Sequence, residues 1–343
     1  MIAIAKASDT EREVLFGNAA DRAGISNPAI VEKDFWVCFA LDYLFHNSPW
    51  SKSFIFKGGT SLSKAYHVIE RFSEDIDLIM DWRLIGYGIH EPWEERTKTQ
   101  QDKFNKKAVA AASEFLTRTF APQMEKDISN MIDRNVTLSM DPDDKEQCTV
   151  NFFYPHVFDT NYLRQEIRLE IGPLAEWVPS HPVKITSTAA EQFPRAFRQA
   201  DTIVSTVDIE RTFWEKVTIL HKTAASYNRK GIPPRYARHY YDLYKMSHSD
   251  VKSKAFARKE LLEQDVKFKL KFYYTKNASY ETAHIGTVQL VPNDAAIKDL
   301  SVDYEHMKDM IYGEKPPFDE ILETIRVLET EINELHDWKP ILK

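Results

Sequence analysis

The segment from Phe54 to Met80, which reads FIFKGGTSLSKAYHVIERFSEDIDLIM, constrains the fold more than any other part of the chain. It begins with a short apolar run that predicts a β-strand, and this run ends at the pair Gly58 and Gly59. A helix is predicted directly after the glycines, and a second strand follows that helix. The segment therefore predicts a compact strand, helix and strand unit around which the rest of the chain is arranged.

Two acidic residues mark the second strand of this unit. Asp75 and Asp77 alternate there with the apolar side chains of Ile76 and Leu78. Because side chains of a strand point alternately to opposite faces, both carboxylates are predicted on the same face. Two negative charges this close are unfavourable unless a proton or a cation lies with them. A divalent metal ion is the usual solution, since such ions prefer oxygen ligands.

The glycine pair predicts a second kind of binding group in the same unit. A backbone without Cβ atoms can approach a ligand closely, and the helix that follows offers unpaired N–H groups to a phosphate. Thr60 and Ser61 add two hydroxyl donors. A Gly-Gly turn alone is an ordinary loop, and Asp-x-Asp alone is an ordinary strand face. Together, in this order, they predict a site for a nucleoside triphosphate with magnesium.

The runs FKGGTSLSKAY and RFSEDIDL resemble the first motif of the AbiEii/AbiGii toxin family, a branch of the nucleotidyltransferase superfamily. The resemblance extends to later motifs and to much of the C-terminal third of the chain. It implies an α+β fold, with a small mixed β-sheet flanked by helices and a helical C-terminal domain. It also implies a magnesium-dependent nucleotidyltransferase that takes its nucleotide from an NTP.

Composition is typical of a globular protein with its own core. The chain has 343 residues, 43% of them hydrophobic, which is enough for one large or two ordinary domains. The formal net charge of -7 gives no overall attraction to nucleic acid, so an RNA contact would need a local basic patch. The two cysteines, Cys38 and Cys148, predict neither a disulfide framework nor a zinc site. Without a secretory signal or an apolar run that could span a bilayer, a cytoplasmic protein with no membrane partner is expected.

Two helices are predicted ahead of the central segment. The first spans Thr10 to Arg22 and ends at Gly24, and the second is capped by Ser26 or Asn27. The second helix carries the charged triplet Glu32-Lys33-Asp34, which the family resemblance includes. We interpret the triplet as a solvated helix face and assign it no function.

Strands are predicted at Asn135–Met140, Thr149–Tyr154 and Gln165–Ile171, and an acidic turn lies between the first two. The last strand supplies Glu170 to the face opposite its apolar residues. The resemblance implies a third carboxylate near the Asp-x-Asp pair, and the flanking residues make Glu170 the candidate. Without the first motif, an exposed edge with alternating glutamate and arginine would be the better interpretation.

The stretch from Val178 to Thr206 contains prolines near its start and is interpreted as the connection out of the sheet. It predicts a domain boundary near Thr206, and the resemblance implies a nucleotidyltransferase domain with N-terminal helices over residues 1–205. Beyond it the apolar pattern is helical, which predicts a helical C-terminal domain over residues 206–343. The resemblance implies that this domain completes the active site.

Two helical motifs of the C-terminal part supply further candidates. The run ERTFWEKVTILHK resembles the third motif of the family, which implies that Lys216 approaches the nucleotide phosphates. The run RYARHYYDLYK resembles the fourth motif and gives Asp242 a required role. Asp242 could accept a proton from the acceptor hydroxyl, or hold Lys216 and Arg238 by charge. His239 departs from the family pattern and is left outside the site.

A basic and aromatic segment over residues 252–276 has two interpretations. Lysines that meet phosphates and rings that stack on bases would form an RNA-binding face. An amphipathic helix whose lysines lie over buried aromatic side chains would look the same in sequence.

The leading hypothesis is a magnesium-dependent nucleotidyltransferase toxin of a toxin–antitoxin or phage-defence system. Asp75, Asp77 and Glu170 would hold two metal ions, and Lys216 would neutralise charge on the departing pyrophosphate. The resemblance implies RNA, such as the 3′ end of tRNA, as acceptor, and an antitoxin encoded nearby that need not touch the toxin. The alternatives are an antibiotic-type nucleotidyltransferase with a small-molecule acceptor and a non-catalytic nucleotide-binding module.

Overall fold

The computed structural model describes residues 1–160, 163–173, 179–226, 232–275 and 277–335. The chain divides into two compact units. Unit 1 comprises Met1–Ala65 and Ser73–Val207, and unit 2 comprises Tyr66–Phe72 and Asp208–Lys343. The short segment Tyr66–Phe72 therefore belongs to unit 2, although it lies in sequence between the Gly-Gly turn and the Asp-x-Asp strand.

Unit 1 combines a mixed sheet with helices. Its strands are β1 (Phe54–Lys57), β2 (Ile76–Met80), β3 (Thr137–Met140), β4 (Thr149–Phe153), β5 (Glu166–Gly172), β6 (Ser180–Thr186) and β7 (Asp201–Val207). Its α-helices are α1 (Ile2–Lys6), α2 (Asp9–Ala23), α3 (Pro28–Asp42), α4 (Gly58–Lys64), α5 (Lys98–Phe115), α6 (Ala121–Ile132) and α7 (Thr188–Gln192).

Within the described ranges the strands form one seven-stranded sheet in the order β3-β4-β5-β2-β1-β7-β6. The central strand β2 runs antiparallel to β1 and parallel to β5. This register places Asp77 of β2 beside Glu170 of β5 on one side and beside Lys57 of β1 on the other. The strand, helix and strand unit predicted from Phe54–Met80 therefore occupies the middle of the sheet, and the α+β prediction is confirmed.

The N-terminal helices follow their sequence signals. Ser8 and Glu11 form a capping box at the start of α2, and Gly24 ends that helix with a φ of 70°. Asn27 caps α3, because its side-chain oxygen accepts a hydrogen bond from the Ala29 N–H at 3.0 Å. Both helix predictions are confirmed, with Asn27 as the cap of the second.

The prediction of a solvated charged face on α3 is wrong. Glu32, Lys33 and Asp34 are all buried, as are nearly all residues of this helix. A helix that is surrounded on every side has no polar face for solvent, so its charged side chains must find partners inside the fold. Each of the three does so with a residue that is distant in sequence.

The stretch interpreted as a connection out of the sheet contains two strands instead. β6 and β7 pair as an antiparallel ladder along their full length, and β7 continues the sheet by pairing in parallel with β1. The proline that argued against a strand, Pro182, lies in β6 at the end of the strand order. An edge strand tolerates a residue without an N–H, because one of its sides has no ladder to complete. Val178, the first residue of the predicted connection, lies outside the described residues.

The described part of unit 2 is built from helices. They are α8 (Ile209–Ser226), α9 (Arg238–Ser247), α10 (Val251–Ala257), α11 (Glu260–Phe272), α12 (Asp294–Met307) and α13 (Phe318–Asn333). Phe213, Val217 and Leu220 of α8 are buried and recur at helical spacing. In the described ranges, no helix combines the length and apolar character that crossing a bilayer requires. The prediction of a helical C-terminal part is confirmed.

Candidate active site

The Gly-Gly turn is shaped by its contact with the acidic strand. Gly58 begins α4 with a φ of 82°, a conformation that glycine adopts without steric cost. A Cβ at this position would lie 1.9 Å from Oδ2 of Asp77. No side chain fits in that space, so the carboxylate of Asp77 lies directly against the glycine backbone. The next residue, Gly59, is half-buried within the first turn of α4.

Thr60 and Ser61 are buried, and their hydroxyl groups are engaged within unit 1. Thr60 Oγ1 donates to the carbonyl oxygen of Asp75 at 2.5 Å, which links α4 to the start of β2. Ser61 Oγ donates to the Gly58 carbonyl oxygen at 2.8 Å. These bonds fix the turn and the acidic strand relative to each other. A role for the same hydroxyls toward phosphate stays a prediction.

Asp77 lies in the second strand as predicted, whereas Asp75, which was also predicted there, lies just before it. Both residues are half-buried. Glu170 is the register partner of Asp77 on the parallel neighbour β5. Residues paired across adjacent strands project to the same face of the sheet, so this register brings the third predicted carboxylate beside the first two. The glycine turn and all three predicted carboxylates therefore lie in unit 1.

An arginine that sequence analysis did not single out lies beside these carboxylates. Nη1 of Arg168 is 3.2 Å from Oε1 of Glu170, and its Nε is 2.9 Å from Oδ2 of the buried Asp141. Burial lowers the pKa of Arg168, but the charges of Glu170, Asp75 and Asp141 outweigh burial and raise it. Arg168 was visible in the sequence only as part of an alternating strand face. Its proximity to Asp141 depends on the pairing of distant strands.

The donor set of unit 1 fits a hard divalent cation. Asp75, Asp77 and Glu170 offer carboxylate oxygens, the ligands that Mg²⁺ prefers. Among the described residues, however, no three histidine, cysteine, aspartate or glutamate side chains are already arranged as a ligand group. Glu170 is instead paired with Arg168. A cation at this position would therefore bind to Asp75 and Asp77 and compete with Arg168 for Glu170.

The other predicted residues form a buried cluster in unit 2. Lys216 on α8 extends its ammonium group to Asp242 on α9, with Nζ 2.8 Å from Oδ2. Arg71 approaches the same carboxylate in a bidentate fashion, its Nε 2.7 Å from Oδ1 and its Nη2 2.8 Å from Oδ2. Both Asp242 and Arg71 are fully or almost fully buried. Three charge-assisted hydrogen bonds satisfy the Asp242 carboxylate.

This arrangement changes the proton affinities of the cluster. Burial raises the pKa of Asp242, but the charges of Arg71 and Lys216 outweigh burial and hold it well below its usual range. Burial lowers the pKa of Lys216, and the charge of Asp242 offsets only part of that effect. Asp242 is therefore a carboxylate at neutral pH and a weak base.

His239 is part of this cluster, although sequence analysis left it out. Its Nδ1 lies 3.1 Å from the ammonium of Lys216. Burial and the neighbouring charge of Lys216 hold the pKa of His239 well below its ordinary value, so the ring is neutral and Nδ1 accepts a hydrogen bond from the lysine. Arg71 was also missed as a partner, even though it opens the quoted run RFSEDIDL. A sequence motif identifies such residues without showing which side chain each one contacts.

Half of the basic side chains in residues 252–276 form ion pairs with acidic residues of unit 2. The pairs are Lys252 with Glu331, Lys254 with Asp250, Arg258 with Asp208, and Lys269 with Asp265. Phe268 and Phe272 are buried, while Tyr273 and Tyr274 are exposed. Lys276 lies outside the described residues. These contacts favour the interpretation of basic side chains lying over a packed helix pair.

A family model described as nucleotidyl transferase AbiEii toxin, type IV TA system, matches residues 41–324. No curated protein matches the chain. Among solved structures, MenT4, a nucleotidyltransferase toxin from Mycobacterium tuberculosis H37Rv, is similar with 13% sequence identity, 94% coverage of each chain and a TM-score of 0.48. The family match covers most of the sequence and includes every predicted site residue. The chain belongs to the AbiEii family, the nucleotidyltransferase toxins of type IV toxin–antitoxin systems.

Proposed function

We propose that this nucleotidyltransferase is magnesium-dependent and transfers a nucleotide from an NTP to RNA, with the 3′ end of tRNA as acceptor. The observation that supports it most is the register of β2 and β5. It places Asp77 beside Glu170, while Asp77 also packs against the glycine turn of the first motif. Carboxylates and a glycine backbone meet at one place in the sheet. A metal-bound triphosphate needs both kinds of group.

Asp75 and Asp77 are proposed as the primary metal ligands, with Glu170 as a further ligand once it is released from Arg168. Bound Mg²⁺ would supply Lewis-acid stabilisation of charge on the reacting phosphate oxygens. Gly58 and Gly59, followed by Thr60 and Ser61, are proposed to contact the β- and γ-phosphates. A second metal ion would require Glu170 to turn away from the arginine.

We assign Lys216 the neutralisation of negative charge on the departing pyrophosphate. Asp242 is proposed to position Lys216, not to act as the general base. The support for this is its full burial, its three hydrogen bonds to Arg71 and Lys216, and its depressed pKa. A general base needs a pKa near the working pH and access to the proton that it removes. The two units are proposed as the two functional domains of the chain.

The RNA acceptor is supported by membership of a toxin family rather than by a basic surface. In the segment expected to provide such a surface, four of the eight basic side chains form ion pairs. A small-molecule acceptor is kept as the second candidate. The cognate antitoxin is proposed to act without obligatory contact with this chain.

The acceptor is tested by incubating the purified protein with each α-labelled NTP, Mg²⁺ and total RNA. A parallel sample contains RNA whose 3′ diol has been oxidised by periodate. Label should enter intact RNA in the tRNA size range and should be lost with the oxidised RNA. Transfer to the oxidised RNA would exclude the 3′ end as the acceptor site. Label that enters a small-molecule product and not RNA would favour the second candidate.

A further inference from the structure

One turn of α3 connects three segments of unit 1 through buried charges. Lys33 Nζ lies 2.6 Å from Oε2 of Glu74 and donates to the Arg164 carbonyl oxygen at 2.7 Å. The side chains of Lys33 and Glu74 are 1% and 6% exposed. Glu74 directly precedes Asp75 in sequence, and Arg164 lies just before β5. A single ammonium group therefore joins the starts of the two strands that carry Asp77 and Glu170.

The next residue of α3 contacts the glycine turn through the helix that follows it. Oδ1 of Asp34 is 2.9 Å from Nζ of Lys64, the last residue of α4. Oδ2 of Asp34 accepts a hydrogen bond from the Thr188 N–H at 2.6 Å. Lys64 and Asp34 are each only 11% exposed in their side chains. The Lys64 side chain is therefore buried within unit 1.

Buried ion pairs of this kind contribute little net free energy to the stability of a fold. Removing two charges from water costs several kcal/mol, and well-packed apolar side chains often give equal or greater stability. A buried pair can instead fix the relative positions of the segments that carry its charges. In unit 1 these segments flank Asp75, Glu170 and Gly58.

We propose that Lys33 and Asp34 are positioning residues for the metal and nucleotide site of this enzyme. Lys33 holds the acidic strand through Glu74, and Asp34 holds the glycine turn through Lys64. The inference rests on the proposed function, because it requires that Asp75 and Asp77 bind the metal. Outer contacts of this type typically change metal affinity by about 10–100-fold when they are lost.

The test measures binding of Mn²⁺ alone to the full chain by isothermal titration calorimetry, together with the melting temperature. Lys33→Met combined with Glu74→Gln removes both charges of the pair together. This variant is expected to keep a melting temperature close to wild type and to bind Mn²⁺ about tenfold more weakly or worse. Asp34→Asn is the second variant, since an amide oxygen can still accept the Thr188 N–H.

Lys269→Met is the matched control, since Lys269 is a buried lysine paired with Asp265 in unit 2. It should lower the melting temperature and leave Mn²⁺ affinity unchanged. Asp77→Ala should abolish binding. If wild type binds no Mn²⁺, or Asp77→Ala binds it normally, the proposed metal site itself is wrong. If Asp77→Ala fails to bind while the Lys33 and Glu74 double variant binds like wild type, only this inference is overturned. Should the double variant not fold, wild-type affinity in Asp34→Asn overturns it equally.

Discussion

Gly58 and Asp77 pack so closely that a Cβ on the glycine would lie 1.9 Å from Oδ2 of the carboxylate. The glycine also has a positive φ, so an L-residue there would be strained even without the clash. The sequence predicts that this glycine belongs to a phosphate-binding turn. The structure adds a second reason for it, because any side chain would displace the proposed metal ligand.

Gly58→Ala should therefore lower activity far more than its backbone strain alone would. We expect a loss of about 1–3 kcal/mol in unfolding free energy and at least a tenfold weaker affinity for Mn²⁺. Gly24→Ala is the control, since Gly24 also has a positive φ but a Cβ there meets nothing within 4 Å. Urea unfolding and Mn²⁺ titration separate the two effects. Equal Mn²⁺ affinity in both variants would contradict the displacement of Asp77.

The Asp242 cluster predicts that the free energy of unfolding depends on pH in the acid range. Because its folded-state pKa lies below the unfolded value of about 3.9, Asp242 contributes stability that is fully present above that value. The contribution is lost as pH falls toward the folded-state pKa. Asp242→Asn leaves Arg71 and Lys216 buried without their counter-ion and should cost about 3–5 kcal/mol at neutral pH.

The difference in unfolding free energy between wild type and Asp242→Asn should then become smaller as the pH is lowered below about 4. Urea unfolding at a series of pH values measures it. Asp143→Asn, an exposed aspartate in the turn between β3 and β4, should unfold in parallel with wild type at every pH. A constant difference for Asp242→Asn across the series would show that its carboxylate is not the stabilising charge.

The same cluster predicts an alkaline limit to activity. Burial lowers the pKa of Lys216, so the ammonium that we propose to neutralise the departing pyrophosphate should lose its proton below the ordinary lysine value of about 10.4. Asp242→Asn removes the charge that opposes this effect and should move the limit to lower pH. The dependence of kcat/KM on pH for both proteins tests the shift. If the alkaline limit of kcat/KM is the same in Asp242→Asn as in wild type, deprotonation of Lys216 does not cause it.

Arg168 predicts a gain in metal affinity when its charge is removed. Its guanidinium pairs with Glu170 and adds positive potential beside Asp75. Arg168→Gln should therefore bind Mn²⁺ several-fold more tightly, because the cation no longer competes for the carboxylate. Arg326→Gln, on the half-exposed arginine of α13, is the matched control and should bind like wild type. Weaker binding in Arg168→Gln would instead assign the arginine a role in orienting Glu170.

The middle of the sheet could be predicted because its signals are local. An apolar run, a glycine turn and an alternating acidic strand specify β1, α4 and β2 within fewer than thirty residues. The choice of Glu170 depended in addition on the family resemblance, which implies a third carboxylate and which the residues flanking Glu170 carry. Its position beside Asp77 agrees with that choice, while its role as a ligand stays a prediction.

The errors and omissions have a common physical origin. The charges of α3 were interpreted as solvated because a helix does not reveal in its own sequence what covers it. Lys33 finds Glu74 at a separation of 41 residues, and Arg71 finds Asp242 at a separation of 171. β6 was missed because its proline is acceptable only at an edge, and edge position is a property of the whole sheet. Such pairings depend on tertiary packing, and the periodicity of the sequence does not indicate them.

The central claim, that Asp77 serves metal-dependent nucleotide transfer, is tested most directly by label transfer from α-labelled NTPs to total RNA in Mg²⁺. Wild type and Asp143→Asn are expected to label RNA equally, whereas Asp77→Asn should be reduced by about 100-fold or more. Chelation of the metal should abolish transfer by all three proteins. Transfer by Asp77→Asn at the wild-type rate, or none by wild type with any NTP, would contradict the account.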